Sequence, residues 1–87
     1  MPSIRMYATD WCPYCQRAEA LLRSKGVTRI DKIDIDRHPE QKKEMIEKTG
    51  RRTVPQIFIG ERHIGGCDDL HALDSAGALD PLLAFEP

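Results

Sequence analysis

The stretch "WCPYC", Trp11 to Cys15, sets two cysteines three apart with Pro13 and Tyr14 between them. Such a pair serves as half of a zinc site, as a structural crosslink, or as a dithiol that opens and closes. Its place in the chain decides. Proline is favoured at the first helical position, where its missing N–H is no loss, so Pro13 makes Cys12 the N-cap. A capping side chain faces the free N–H groups that follow, here those of Tyr14 and Cys15. The helix dipole adds partial positive charge at the same point. Both effects favour the thiolate, which is the attacking species. An ordinary thiol near ~8.5 is about 3% ionised at pH 7, and helix N-termini bring such groups into the ~3.5–7.5 range. Cys12 is therefore the expected nucleophile.

Cys15 sits one turn further on the same face. Side chains three apart on a helix stand roughly 5–6 Å apart at their β-carbons, against ~3.8 Å in a relaxed disulfide. A Cys12–Cys15 bridge is reachable with some strain, and so readily reduced. It would constrain little of the unfolded chain, which disfavours a structural staple. Zinc needs two more ligands. Cys67 is the one remaining thiol, and His38, His63 and His71 are the histidines. His63, Cys67 and His71 are spaced by four, but "IGG" breaks the helix that would align them, so no metal is expected. Each histidine reads as a surface residue. A C-x-x-C beside a strand–helix pattern points to thiol–disulfide chemistry.

The flanking pattern supplies that strand and helix. "SIRMYA" alternates, with Ile4, Met6 and Ala8 on one face. "PYCQRAEALLRSKG" carries the apolar stripe Ala18, Leu21 and Leu22 and stops at Gly26. "IDKIDID" alternates again. "PEQKKEMIEKTG" runs from Pro39 to Gly50 with Met45 and Ile46 as its strong apolar anchors, a peripheral helix. "PQIFIG" and "RHIGG" read as a hairpin through Gly60 and Glu61. "CDDLHALDSAG" is a short last helix, and "LDPLLAF", ending at Phe85, packs as a final turn or two. The order β-α-β-α-β-β-α predicts an α/β fold, one mixed sheet flanked by helices.

Composition narrows the function classes. Eighty-seven residues suit a single domain over 1–87, and a chain of this size buries somewhat over ~60% of its unfolded surface. Thirteen Lys and Arg balance fourteen Asp and Glu, a net charge of -1, which argues against nucleic acid or anionic membrane as main partner. No run approaches the ~20 apolar residues of a membrane span, and "MPSIRMY" has no apolar core of a secretion signal. With three cysteines, a reducing cytoplasmic setting is expected.

"CPYC", then "TVPQIFIG", then "IGGCDDL", in this order and at this length, resembles a dithiol glutaredoxin of the small bacterial kind, within the thioredoxin fold. The likeness runs from "IRMY" to "LDPLL". It implies a four-stranded sheet, glutathione as reductant and bound substrate, Cys12 as nucleophile and Cys15 as resolving cysteine. It also implies disulfide-containing or glutathionylated proteins as partners and a monomer. Thr53, Val54 and Pro55 would form the binding edge, with the Val54–Pro55 bond cis. Val54, extended because it precedes proline, would pair with glutathione as a strand adds to a sheet edge. Gly66, Cys67, Asp68 and Asp69 would take the γ-glutamyl end, its carboxylate on helix N-terminal N–H groups and its amine near an Asp. Lys42 would meet the glycine carboxylate, Tyr14 would border the groove, and Arg51 and Arg52 would add positive field. Cys67 itself reads as a half-buried structural thiol.

Two positions depart from the family pattern. Thr9 stands where many relatives have lysine, and Trp11 is more reminiscent of thioredoxin. Competing readings are a thioredoxin-like donor fed directly by a reductase, and an iron–sulfur carrier holding a cluster through Cys12 and glutathione; Pro13 weighs against the latter.

Overall fold

A computed structural model describes residues 2–84. Its elements are β1 (Ile4–Ala8), α1 (Pro13–Ser24), β2 (Asp31–Asp34), α2 (Pro39–Thr49), β3 (Gln56–Ile59), β4 (Arg62–Gly65), α3 (Cys67–Ser75) and α4 (Leu79–Ala84). The four strands form one sheet in the order β2-β1-β3-β4. β1 runs parallel to β2 and antiparallel to β3, which pairs antiparallel with β4. This is the expected mixed sheet flanked by helices.

The strand alternation sorts the side chains onto two layers. Ile4, Met6, Ala8, Ile57 and Ile59 meet Ala18 and Leu22 of α1, Leu70 of α3, and Leu79 and Leu83 of α4. On the other face, Tyr7 packs with Ile35 and with Met45 of α2, and Phe58 lies against them. Tyr7 also donates its hydroxyl hydrogen to Glu44 of α2 at 2.7 Å. Thus α1, α3 and α4 cover one face and α2 the other.

Two boundaries and one strand register differ from the pattern reading. β2 stops at Asp34 because that carboxylate accepts the backbone N–H groups of Asp36 (2.9 Å) and Arg37 (3.3 Å), turning the chain out of the sheet. The C-terminal segment contains a separate helix, since Gly77 takes φ 75° between α3 and α4; Phe85 lies outside the described residues. β3 and β4 carry a bulge at Ile57/Phe58, so that Ile57 pairs with Gly65 while Phe58 pairs with His63. α2 ends as expected, with Gly50 in the left-handed region donating its N–H to Ile46 at 2.8 Å.

Candidate active site

Pro13 opens α1, and Cys12 is its N-cap in extended conformation (φ -85°, ψ 111°). The Cys15 N–H donates to the Cys12 sulfur at 3.3 Å. Of the two amides expected there, the Cys15 amide makes the contact. The Cys12 thiol in turn reaches the Val54 carbonyl at 3.8 Å, which ties the nucleophile to the neighbouring loop. Cys12 and Cys15 are each only 4% exposed, and both are free thiols. Burial, reinforced by the Cys12 sulfur, pushes the Cys15 thiol up to about 12. Cys15 is therefore a thiol in waiting.

The loop that faces Cys12 joins α2 to β3. Its Val54–Pro55 bond is cis, as the resemblance implied. Among the described residues nothing pairs with the Val54 N–H, so this backbone offers a donor to an extended ligand. A groove of about 210 Å³ runs along the loop, with Thr53, Val54 and Pro55 on one wall and Gly66, Cys67, Asp68 and Asp69 on the other. Tyr14, 54% exposed, also lines it. A β-carbon on Gly66 would stand 3.4 Å from the Pro55 carbonyl oxygen, so glycine there lets the walls approach. Gly65 takes φ 118°, and a side chain on it would run into the Asp69 carboxylate.

Asp69, at the third position of α3, accepts the Gly66 N–H at 2.8 Å and pairs with Arg51 at 2.8 Å. Arg51 first, and the Gly66 N–H second, hold its carboxyl below the ordinary range. Arg51 is thus a groove residue, more closely engaged than a source of field. Cys67 is buried rather than half-buried, at 5% exposure. Burial raises its thiol, and Arg17 only partly offsets this. Lys42 is exposed on α2 and does not line the groove, and Arg52 is exposed outside it.

Three other features were not legible in the sequence. Trp11 is 72% exposed, and its indole N–H donates to Asp36 at 3.0 Å. The Thr9 hydroxyl is buried and has no hydrogen-bond partner among the described residues. His63 is not a free surface residue: its Nε2 lies 2.8 Å from Gln56 Oε1. His63 belongs to β4, apart from Cys67 and His71 on α3. Larger hollows lie elsewhere. One of about 550 Å³, beside Arg5, Tyr7 and Phe58, contains no thiol, and one of about 420 Å³ borders Cys15 from behind.

The glutaredoxin family model matches residues 4–64. The chain is 56% identical over 84 residues to a glutaredoxin of Pseudomonas aeruginosa, covering 97% of this chain and 99% of that one. It is 55% identical over 83 residues to glutaredoxin 3 of Escherichia coli K12, covering 95% and 99%. Its fold superposes on the crystal structure of a buckwheat glutaredoxin–glutathione complex with a TM-score of 0.86 at 33% identity, covering 94% of this chain and 76% of that one. With a helix-capping Cys12, a buried Cys15 and a cis-proline wall beside them, the chain belongs to the glutaredoxin family of thiol–disulfide oxidoreductases.

Proposed function

We propose that residues 1–87 act as one monomeric glutaredoxin domain that uses glutathione to reduce glutathionyl mixed disulfides and protein disulfides in the cytoplasm. The observation that carries this reading is the contact of the Cys12 sulfur with both the Cys15 N–H and the Val54 carbonyl. It ties a helix-capped sulfur to Val54, which lines a groove suited to an extended peptide with two carboxylates. The glutathione bound in the buckwheat complex supports the same ligand here.

In this scheme Cys12 attacks the glutathionyl sulfur of the substrate. A Cys12–glutathione disulfide forms, and the substrate leaves as a thiolate that takes up a proton. Thr53, Val54 and Pro55 hold the peptide edge, and the α3 N-terminus at Cys67 and Asp68 takes the γ-glutamyl carboxylate. Asp69 faces the ligand amine; its present pairing with Arg51 marks that carboxylate as one that holds a cation. Lys42 meets the glycine carboxylate from α2, and Tyr14 flanks the sulfur. A second glutathione then attacks the adduct, releasing glutathione disulfide and the free Cys12 thiolate.

Cys15 enters when the partner is a protein. Once Cys12 is bonded to another sulfur, its hydrogen bond and charge no longer oppose ionisation of Cys15. Cys15 then attacks Cys12 Sγ at high effective concentration, forms the Cys12–Cys15 disulfide and expels the reduced protein thiolate. The test is turnover of a glutathionylated model thiol with glutathione and its reductase. Reduction by thioredoxin reductase alone, without glutathione, would contradict the scheme.

A further inference from the structure

Behind the groove the buried Gln56 links Thr53 to the half-buried His63, and neither Gln56 nor His63 takes part in the scheme above. Gln56, the first residue of β3, is 0% exposed and stands in register opposite Tyr7, on the sheet face covered by α2. A carboxamide there is heavily penalised unless it is hydrogen-bonded. Its Nε2 donates to the Thr53 carbonyl at 3.1 Å and to the Thr53 hydroxyl oxygen at 3.3 Å. Its Oε1 lies 2.8 Å from His63 Nε2.

These contacts fix the polarity of the chain of bonds. The Thr53 carbonyl only accepts, so the Gln56 amide nitrogen must face it and Oε1 must face His63. Oε1 also only accepts, so His63 Nε2 carries a hydrogen. The imidazole is held against Phe58, its register partner, with ring centroids 5.1 Å apart. The run from Gly50 to Pro55 has no regular secondary structure, so side chains must pin it. Thr49 pins its start, accepting the Arg51 N–H at 3.0 Å. Gln56 pins its end.

We infer that Gln56 and His63 are positioning residues: through Thr53 they hold the Thr53–Val54 peptide in the orientation that receives glutathione and meets the Cys12 sulfur. This rests on the reading of the groove as the glutathione site. Neither residue lines the groove; Gln56 reaches it through Thr53, and His63 is hydrogen-bonded to it only by way of Gln56. Protonating His63 adds a hydrogen at Nδ1 and leaves Nε2–H donating, so the link persists in both charge states. The charged groups that act on the ring are Arg51 and Asp69.

Steady-state kinetics on a glutathionylated small thiol test the role. Gln56→Glu keeps an acceptor for His63 but cannot donate to Thr53; KM should rise about tenfold with kcat within about twofold. Should the buried carboxylate of that variant prevent folding, His63→Phe keeps a ring against Phe58 and removes the donor, with KM up about fivefold. His63→Gln restores an N–H donor and should return KM toward wild type. A purely structural role would lower stability yet leave KM unchanged in folded protein. Independently of any variant, ¹⁵N spectra of the wild-type imidazole should show the Nε2–H tautomer. An Nδ1–H tautomer, or a folded His63→Phe with wild-type KM, would overturn the inference. Amide shifts on adding glutathione separate the two levels. If Thr53 and Val54 do not respond in wild type, the groove reading falls and this role with it. If they respond equally in wild type and His63→Phe, only the positioning role falls.

Discussion

The N-termini of α1 and α3 converge on one groove and are finished in opposite ways. At α1 the side chain of the cap is the reactive atom, and the Cys15 N–H is already committed to it at 3.3 Å. At α3 the cap is Gly66, which brings no side chain, and its own N–H is taken by Asp69 at 2.8 Å. Among the described residues the N–H groups of Cys67 and Asp68 have no partner. Both ends offer unpaired donors and partial positive charge. One end serves a resident sulfur; the other keeps its donors free, and the proposed scheme gives them the ligand carboxylate. Chemistry and binding are thereby placed on separate helices that share a rim.

Substitutions that break this division should differ in kind as well as size. Cys12→Ser removes the attacking atom, and turnover of both glutathionyl and protein disulfides should fall by about three orders of magnitude or more. Cys15→Ser leaves the cap in place. It should keep glutathionyl turnover within about twofold and lose about tenfold or more on protein disulfides, measured as kcat/KM on matched substrates. Equal losses of small-substrate turnover in the two variants, with folding intact by circular dichroism, would remove the nucleophile–resolver division.

The Cys15 titration sharpens the same point. Its thiol lies near 12 chiefly through burial and next through the Cys12 sulfur. In Cys12→Ser the second cause is gone, so the alkylation midpoint of Cys15 should move down from about 12 yet stay above that of an ordinary thiol. A midpoint at or below the ordinary ~8.5 would mean that burial is not the main cause.

At the α3 end the effects should appear in binding. In the proposed scheme Asp69, and Lys42 from α2, meet parts of glutathione remote from the reacting sulfur, so Asp69→Ala and Lys42→Ala should each raise KM for glutathionylated substrate about three- to tenfold with kcat nearly unchanged. Asp69→Ala should also lower the unfolding midpoint, since it frees the Gly66 N–H and Arg51 together. The smallest expected effect is in acid. The His63 value is depressed below 6.5, chiefly by burial. Its neutral form therefore contributes stability that is present above pH 6.5 and lost as pH falls through the depressed folded value. Urea melts between pH 7 and 5 should show this slope in wild type and a flatter one in His63→Gln.

Much of this arrangement was legible in the sequence because it rests on local rules. Pro13 and Pro39 mark helix starts, Gly50 marks a helix end, and strand alternation separates Met6 from Tyr7 onto opposite faces. Cys12 as cap follows from Pro13 alone. The cis Val54–Pro55 bond and the gathering of "TVP" with "GGCDD" followed from the family likeness, as no local pattern dictates them. What escaped is the set of side-chain closures between distant segments. Arg51 to Asp69 and Gln56 to His63 depend on the β3–β4 bulge and register, which periodicity does not fix. The end of β2 escaped because Asp34 looks like one more alternating residue until its carboxylate caps the turn.

The central claim, that Cys12 alone receives the glutathionyl group while α3 holds its far end, has a direct measurement. Cys15→Ser protein treated with glutathione disulfide should be analysed by intact mass and peptide mapping. One glutathionyl adduct on Cys12 is expected, because the Cys15 N–H caps its sulfur, with Cys67 unmodified because its thiol is raised. An adduct on Cys67, or none on Cys12 in folded protein, would contradict the account.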